Sequence, residues 1–442
     1  MGETQEHTDE LSAFAGLLDE APAASGSGRA GRIVLIAFLV SVLVVLGAGG
    51  GYVWWASAAP LAPPTVTTQP PAVAPGEPAA IGMPASGAMR VSVTGGEDYL
   101  GAEADGARVA SGGDDPRPIA SIAKLVTALV VLDRHPLDGA NDPGPTLAFT
   151  EADTDLYDQF YVRGVTIARM PDGSSMSLHD ALATMLLPSA SNYAVAVARW
   201  GFGSEGAYVD AARAWFAANG LESTRIVDAT GIDERNTSTP RDLVALGKIA
   251  EANPALARIV GMSSISLPGG PGTVTNTNGL LGTEGIRGLK TGNLGEGTFN
   301  LLFSSLLDVG IGAPLTITGV RLGGETHDST DQDVVTVLQS IRAGFHEVPV
   351  GTVGDEVGEI TTAWGARAEI VLGRSAALMT WSDTPIVTAL DVQTPERYAD
   401  GASVGTITWT AGPNSTTADV KISGELEEPT LWWRLTHPGE LG

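Results

Sequence analysis

A serine and a lysine stand three residues apart at the start of an apolar stretch of the chain. Ser121 directly precedes the run from Ile122 to Leu132, which contains Lys124 and predicts a helix that ends near Asp133. Side chains three positions apart lie on the same face of a helix. The pair can therefore supply a nucleophile beside a base. Taken alone, it is also consistent with a helix N-cap followed by an exposed lysine.

Lysine is scarce in this chain. Of its 25 basic residues, only Lys124, Lys248, Lys290 and Lys421 are lysines. A buried lysine can lose its proton near neutral pH, whereas an arginine cannot. Two of the four lysines fall in motifs that could carry catalysis, which strengthens a catalytic interpretation of both.

The composition excludes several classes of function. The chain has 442 residues, 43% of them apolar, which is enough for two domains with flanking segments. It has no cysteine, so disulfides, thiolate zinc sites and cysteine nucleophiles are excluded. A net charge of −26 argues against a nucleic-acid partner, because such binding depends on neutralising phosphates. With no His-Glu-x-x-His motif and no phosphate loop, neither a metal nor a cofactor is expected.

The first segments of the chain predict a membrane anchor. Residues 1–32 are polar and acidic and predict a disordered cytoplasmic tail. Residues 33–55 are apolar and uncharged over a length that spans a bilayer as a helix. Arg29 and Arg32 precede this run and Trp55 ends it. The positive-inside rule therefore places the tail in the cytoplasm and the rest of the chain outside the cell membrane.

Two features follow the apolar run. Ala56-Ser57-Ala58 resembles a signal-peptidase cleavage site, but the long acidic tail and the length of the run favour an uncleaved, single-pass helix. Residues 56–87 are rich in Pro, Ala, Gly and Thr. They predict a semi-extended linker that holds the following domain away from the membrane surface.

The remainder of the chain predicts two domains and a tail. Strands, then helices, then strands and a closing helix over residues 88–346 predict an α+β domain whose sheet is covered by helices. Short alternating runs over residues 347–425 predict a small all-β domain. Residues 426–442 form an aromatic tail that could pack on a domain, touch the membrane or bind a partner, of which packing is the commonest outcome. Within the α+β domain, helices are predicted at 177–187, 192–200, 207–219, 240–252 and 331–345, and strands at 286–291, 298–306 and 315–321.

Three short motifs follow one another in the α+β domain. Ser121-Ile122-Ala123-Lys124 comes first, Ser189-Ala190-Ser191 follows at a turn between two predicted helices, and Lys290-Thr291-Gly292 ends a predicted strand. This set resembles that of the D-alanyl-D-alanine carboxypeptidases, the low-molecular-weight penicillin-binding proteins. Val227-Asp228-Ala229-Thr230-Gly231 and Asn276-Thr277-Asn278 are also similar to that family.

The resemblance implies a fold and an activity. The fold is a penicillin-binding, β-lactamase-like transpeptidase domain, with an antiparallel sheet, helices and a helical subdomain, followed by a small all-β domain. The activity is that of a membrane-anchored bacterial serine peptidase that trims the D-Ala-D-Ala stem peptides of peptidoglycan through an acyl-enzyme and is inhibited by β-lactams. Ser121 would be the nucleophile, Lys124 its base, and Ser189 the relay of a proton to the leaving amine.

The resemblance also implies a set of substrate contacts. Lys290 and Thr291 would hold the substrate carboxylate, and Gly292 would let the substrate backbone lie close to the strand. The backbone N–H groups of Ser121 and Asn293 would form an oxyanion hole. Burial and the positive charge of Lys290 are expected to lower the pKa of Lys124.

The second motif departs from the family pattern, which reads Ser-x-Asn. Here Ser191 stands at the third position and Asn192 follows it. A shift of one residue rotates a helical side chain by about 100°, so Asn192 is not expected to replace the missing amide. Ser191 has one donor instead of two and would bind substrate through a bridging water. A catalytically weak or inactive peptidoglycan-binding homologue is therefore an alternative function.

A serine β-lactamase shares the same three motifs and is the second alternative. In the common class, a glutamate on a loop between the second and third motifs activates the hydrolytic water. None of the glutamates in that interval lies in a sequence that resembles this loop, and the anchor and β domain favour wall remodelling. The glutamates between the second and third motifs are Glu205, Glu222, Glu234, Glu251 and Glu284.

The sequence leaves open whether a peptidase with these motifs would act as a carboxypeptidase or as an endopeptidase.

Overall fold

The computed structural model describes residues 29–100, 107–393 and 398–442, with only the backbone of 107–109. The predicted tail over residues 1–32 therefore lies almost wholly outside the described residues. The helices are α1 Ala30–Ala58, α2 Glu97–Leu100, α3 Ala123–Arg134, α4 Glu151–Val162, α5 Leu178–Leu186, α6 Ser191–Phe202, α7 Glu205–Ala218, α8 Pro240–Ala252, α9 Pro254–Val260, α10 His327–Ala343 and α11 Leu431–Thr436. The longer strands are β2 Ala88–Thr94, β3 Ala107–Ser111, β10 Ile286–Gly292, β11 Phe299–Leu307, β12 Leu315–Gly324, β13 Phe345–Gly351, β14 Glu356–Thr361, β15 Arg367–Leu372, β16 Ala376–Trp381, β17 Val387–Val392, β18 Ser403–Ala411 and β19 Asn414–Ser423. The short strands are β1 Thr65–Thr68, β4 Arg117–Pro118, β5 Thr146–Ala148, β6 Ser175–Ser177, β7 Thr237–Ser238, β8 Ser264–Leu267 and β9 Gly272–Thr275.

A five-stranded antiparallel sheet forms the centre of the α+β region, in the order β10-β11-β12-β2-β3. Neighbouring residues of a strand point to opposite faces, and both faces are covered here. Leu302 packs with the core of the helical subdomain. Leu301 and Phe303 pack with Val334 and Val337 of α10. Strand β10 lies at the edge of this sheet, so one side of its backbone is available to a ligand.

The sequence predicted the starts of several helices through their caps. Ser177 accepts a hydrogen bond from the Asp180 N–H at 3.1 Å at the start of α5. Thr239 accepts one from the Asp242 N–H at 3.2 Å, with Pro240 in the first turn of α8. Side-chain oxygens at this position satisfy N–H groups that have no partner within the helix. Both predicted starts are confirmed.

Three helices of this region were not predicted, namely the single turn α2, α4 and α9. In α4, only Leu156 and Phe160 are buried, so its apolar periodicity is weak. Two large apolar side chains of this helix, Tyr161 and Val162, are instead exposed. In α9, which has seven residues, the pattern is too short to distinguish a helix from a buried strand.

Residues 56–87 do not form a free spacer, which corrects the sequence-based expectation. Strand β1 pairs with β14, with Thr65 opposite Thr361. Further along, the Ala79 N–H donates to Ser382 Oγ at 3.0 Å and the Gly82 N–H donates to Ser340 Oγ at 3.1 Å. Threonine and valine at 65–68 pair readily with an open strand edge, a tendency that the Pro- and Ala-rich composition concealed. The segment is extended, but it is attached to the rest of the chain along its length.

A small all-β region follows α10, as predicted. Its main sheet has six strands in the order β1-β14-β15-β19-β18-β17, and β13 pairs separately with β16. The side chain of Trp409 is fully buried at its centre, among Ile370, Ile407 and Val420. The boundary predicted between residues 346 and 347 falls within β13, so the two regions are joined through a strand.

The aromatic tail packs against the C-terminal end of α1. Within the described residues, α1 is the one helix long and apolar enough to cross a membrane by length and composition. Tyr52 Oη donates to the Leu435 carbonyl at 2.8 Å, and Arg434 Nη1 donates to the Ala59 carbonyl at 2.9 Å. Trp433 packs near this contact, whereas Trp432 is 74% exposed. The tail therefore packs on α1, and Trp432 lies outside that contact.

Candidate active site

Ser121 and Lys124 lie in direct contact. Ser121 sits in a single 3₁₀ turn, residues Ala120–Ile122, that leads into α3. Lys124 is fully buried, and its Nζ lies 2.9 Å from Ser121 Oγ. The same Nζ donates to the Thr230 carbonyl oxygen at 2.8 Å. The sequence also allowed Ser121 to be a helix N-cap and Lys124 to be an exposed surface residue. The structure shows neither, because the N-cap of α3 is Ile122 and Lys124 is buried.

Burial controls the protonation of both lysines of the site. It lowers the pKa of Lys124 to about 7, an effect that the carboxylate of Asp228 partly opposes. Burial also lowers the pKa of Lys290 well below its ordinary value, and the charge of Lys124 adds to this. The charge of Lys290 was expected to share in lowering the pKa of Lys124, but burial is the main cause. An amine that is neutral near pH 7 has a lone pair with which to accept the proton of Ser121.

Asp228 organises the loop that faces Lys124, a role that the sequence analysis did not assign. Its Oδ1 accepts from the N–H and hydroxyl of Thr230, both at 2.6 Å, and from the Gly231 N–H at 2.8 Å. Its Oδ2 accepts from Asn236 Nδ2 at 2.8 Å. Burial alone would raise the pKa of Asp228, but these hydrogen bonds hold it below its ordinary value. The sequence Asp-x-Thr-Gly is typical of a turn that is stabilised by the aspartate side chain, and it was the signal from which this role of Asp228 could have been predicted.

Gly231 permits this loop to lie against the turn that carries Ser121. Its φ is +81°, and a Cβ at this position would collide with the Ala120 carbonyl oxygen. Both the backbone conformation and the close approach therefore require glycine.

The two serines of the second motif line the same cleft. Ser189 occupies the turn between α5 and α6 with a φ of +69°, and its buried Oγ has no hydrogen-bond partner among the described residues. Ser191 begins α6, and its N–H donates to the Thr166 carbonyl at 2.8 Å. Asn192 points elsewhere, as its position on the helix predicts. Its side chain is fully buried and bonds both the N–H and the carbonyl of Ala168, at 3.1 and 2.8 Å.

The third motif lies beside the first. On β10, Lys290 Nζ is 3.4 Å from Thr291 Oγ1, which is itself 2.6 Å from Thr277 Oγ1. A Cβ on Gly292 would lie 3.0 Å from the Ser121 backbone nitrogen. Glycine therefore lets β10 approach the turn of Ser121 closely. The next residue, Asn293, directs its Nδ2 toward His327 Nε2 at 3.3 Å.

The three motifs surround one cleft of about 680 Å³. His327 and Asp331 also line it, and the sequence analysis did not predict them. Among the described lining residues there is no glutamate, lysine or arginine. The lining residues are Ser121, Gly164, Val165, Thr166, Ser189, Ser191, Gly231, Ile232, Thr277, Gly279, Thr291, Gly292, Asn293, Leu294, Gly295, His327 and Asp331.

Comparison with known proteins shows a similarity to one family. Residues 103–308 match the sequence model of the D-alanyl-D-alanine carboxypeptidases. This part of the chain is similar to that family. The matched range contains all three motifs and the loop of Asp228, which explains the resemblance seen in the sequence.

Some relatives are named endopeptidases and others carboxypeptidases. The chain is 30% identical over 194 residues to a D-alanyl-D-alanine endopeptidase of Haemophilus influenzae, covering 43% of this chain and 63% of the relative. It is 24% identical over 258 residues to the D-alanyl-D-alanine carboxypeptidase DacD of Escherichia coli, covering 58% of this chain and 64% of the relative. The chain thus spans less than two thirds of either relative.

A solved structure supports the fold over a longer range. The crystal structure of penicillin binding protein 5 from Haemophilus influenzae covers 80% of this chain and 100% of its own, with a TM-score of 0.51 and 17% identity. The α+β region and the small all-β region together therefore share that architecture.

Proposed function

We propose that the chain is a serine D-alanyl-D-alanine peptidase of peptidoglycan metabolism, with carboxypeptidase activity on stem peptides and sensitivity to β-lactams. The observation that carries this proposal is the contact between Ser121 Oγ and Lys124 Nζ, at 2.9 Å, with the lysine fully buried. Burial lowers the pKa of Lys124 to about 7. A lysine in this state can take the serine proton near neutral pH.

The surrounding groups suit acyl transfer. As the Ser121 Oγ forms a bond to the carbonyl carbon of D-alanine, its proton passes to Lys124 Nζ. The amide C–N bond then breaks, and the leaving amine takes that proton from Lys124 through Ser189, whose buried Oγ has no partner among the described residues. Water subsequently attacks the ester and gives a proton to the now neutral Lys124, which passes it to Ser121 Oγ as the ester bond breaks. The N–H groups of Ser121 and Asn293 would stabilise the oxyanion.

The edge strand β10 supplies a docking surface for the peptide. Because β10 ends the sheet order, an extended peptide can pair with its free side. Gly292 keeps that side close to Ser121. Thr291 and Lys290 would hold the carboxylate of the leaving residue.

The N-terminal helix supports a location at the bacterial cell membrane. We propose that α1 spans the membrane once and that the cleft lies outside the cell, where peptidoglycan is. Hydrogen bonds of Tyr52 and Arg434 hold the C-terminal tail against the end of this helix that would lie outside the cell.

A non-catalytic peptidoglycan-binding protein is the second candidate, because Ser191 stands where the family pattern has asparagine. The full chain in detergent, incubated with a fluorescent penicillin and with a peptide that ends in D-Ala-D-Ala, separates the two. Labelling together with D-alanine release supports the enzyme. If the chain neither becomes labelled nor releases D-alanine, the peptidase proposal is wrong.

A further inference from the structure

Thr127 follows Lys124 on the same face of α3, because residues three apart on a helix are neighbours. Both side chains are fully buried. Lys124 Nζ donates to the carbonyl oxygen of Thr230 at 2.8 Å. Thr127 Oγ1 donates to the carbonyl oxygen of Ala229 at 2.9 Å. Two adjacent carbonyls of the loop that faces α3 are therefore each bound by one side chain of the helix.

The Thr127 hydroxyl has one proton and three neighbours. Its Oγ1 lies 2.9 Å from the Ala229 carbonyl, 3.2 Å from the Ala123 carbonyl and 2.8 Å from Tyr208 Oη. A carbonyl can only accept, so both carbonyls would face a lone pair if Thr127 donated to Tyr208. Tyr208, on α7, is fully buried, and burial raises its pKa, so its hydroxyl keeps the proton that it donates. The proton of Thr127 is then left for the carbonyls, of which that of Ala229 is the nearer.

The bond to Ala229 fixes the carbonyl that follows it. Among the described residues, Thr127 is the one hydrogen-bond donor to the Ala229 carbonyl, and Ala229 is fully buried. A buried carbonyl without a donor is unfavourable, which holds this part of the loop on α3. The next carbonyl, that of Thr230, has no proton and must receive an N–H of Lys124. The lone pair of the neutral amine cannot point at Thr230, and it remains available to Ser121 Oγ at 2.9 Å.

We propose that Thr127 and Tyr208 are positioning residues for the base of the reaction. The Tyr208 hydroxyl directs the Thr127 proton to the Ala229 carbonyl, and this bond holds the next carbonyl of the loop where it orients Lys124. Neither Thr127 nor Tyr208 lines the cleft, so both act through Lys124 and not through contact with substrate. The inference rests on the proposed peptidase function, and it adds α7 to the helices that build the site.

The test separates acylation from binding in the full-length protein in detergent. Fluorescent penicillin at a series of concentrations gives the dissociation constant of the first complex and the rate constant of acylation. Thr127→Val keeps the shape of the side chain and removes its hydroxyl. We expect acylation to become about tenfold slower at an unchanged dissociation constant, because a misplacement of about 1 Å can cost up to about 10²-fold in rate. Thr127→Ser keeps a hydroxyl and should restore the rate.

Thr184→Val is the matched control. Thr184 is also a fully buried threonine of a helix, and its hydroxyl donates to the Asp180 carbonyl one turn earlier, at 2.8 Å. This variant should lose thermal stability without a change in the rate of acylation, which distinguishes positioning from stability alone. Tyr208→Phe should slow acylation in the otherwise unmodified protein. It should have no further effect on that rate in Thr127→Val, because it acts through Thr127.

The outcomes separate this inference from the proposed function. An unchanged rate of acylation in Thr127→Val overturns the positioning role, and so does an equal slowing in Thr184→Val. A further slowing by Tyr208→Phe in the Thr127→Val background overturns the role of Tyr208. Should Thr127→Val fail to fold, Tyr208→Phe decides, since acylation at the normal rate in that variant rejects the inference. If the unmodified protein is not acylated at all, the peptidase function itself is rejected.

Discussion

The Nζ atom of Lys124 lies 2.9 Å from the Oγ atom of Ser121, at a position where the lysine has no contact with solvent. The pKa of this lysine is lowered to about 7, and only its neutral form can accept the serine proton. We therefore expect kcat/KM for a D-Ala-D-Ala peptide to rise about tenfold per pH unit below pH 7 and to level off above it. A flat profile from pH 5 to 8 would contradict this assignment.

Replacing Lys124 by arginine should remove the base while keeping a positive charge. Arginine does not lose its proton near neutral pH, so acylation by penicillin should slow by about 10³-fold. Lys248→Arg is the matched control because Lys248 is exposed on α8, and it should be labelled at the normal rate. Equal labelling of both variants would show that Lys124 is not the base.

Asp228→Asn should shift the pH profile in a definite direction. The negative charge of Asp228 raises the pKa of Lys124, so its removal should lower that pKa and move the midpoint of the profile below pH 7. The amide can still accept hydrogen bonds from Thr230 and Gly231, although more weakly than a carboxylate. Asp210→Asn, on the exposed surface of α7, should leave the midpoint in place. A shift to higher pH in Asp228→Asn would contradict the electrostatic account.

Substitutions at two adjacent positions of α6 should affect different properties, the activity at Ser191 and the stability at Asn192. Ser191→Asn places an amide at the cleft and should increase kcat/KM for the D-Ala-D-Ala peptide about fivefold, since a hydrogen bond to substrate contributes about 1 kcal/mol. Asn192→Ser leaves the N–H and carbonyl of Ala168 without their partner. It should lower the free energy of unfolding by about 1–3 kcal/mol. Steady-state kinetics and thermal unfolding of both variants would show the contrast, and an equal loss of stability in both would refute it.

Arg434 should hold the aromatic tail in place. Its guanidinium donates to the carbonyls of Ala59 and Ala56 at the end of α1, at 2.9 and 3.4 Å. Arg434→Ala should therefore expose residues 431–442 to limited proteolysis in detergent, with the rate of penicillin labelling unchanged. Arg367→Ala removes an exposed ion pair with Glu359 instead and should leave the tail protected. Equal cleavage of the two variants would argue against this contact.

Local features of the sequence predicted much of the fold and the centre of the site. The three motifs, the caps of α5 and α8, and the rotation of Asn192 away from the cleft all follow from short-range spacing. Burial of Lys124 was expected from the family resemblance, although the sequence alone also allowed an exposed lysine. These predictions did not depend on contacts between segments that lie far apart in the sequence.

The features that the sequence did not predict depend on distant contacts. Strand β1 pairs with β14 across most of the chain, which composition could not reveal. His327 and Asp331 reach the cleft because β10 and β12 run parallel on either side of β11 and end at the same edge of the sheet, so a helix that begins after β12 faces the third motif. The helix was predicted to start at 331, and that start left His327 outside it. The role of Asp228 likewise depends on a loop folding back onto Lys124.

Intact-protein mass spectrometry after exposure to benzylpenicillin tests the central claim most directly. Opening of the β-lactam ring releases no fragment, so an acyl-enzyme at Ser121 should add the full mass of one antibiotic molecule. Peptide mapping should place the adduct on Ser121, and Ser121→Ala should show no increase. An adduct on another residue such as Ser189, or an unmodified chain at saturating penicillin, would contradict the assignment of Ser121 as the nucleophile.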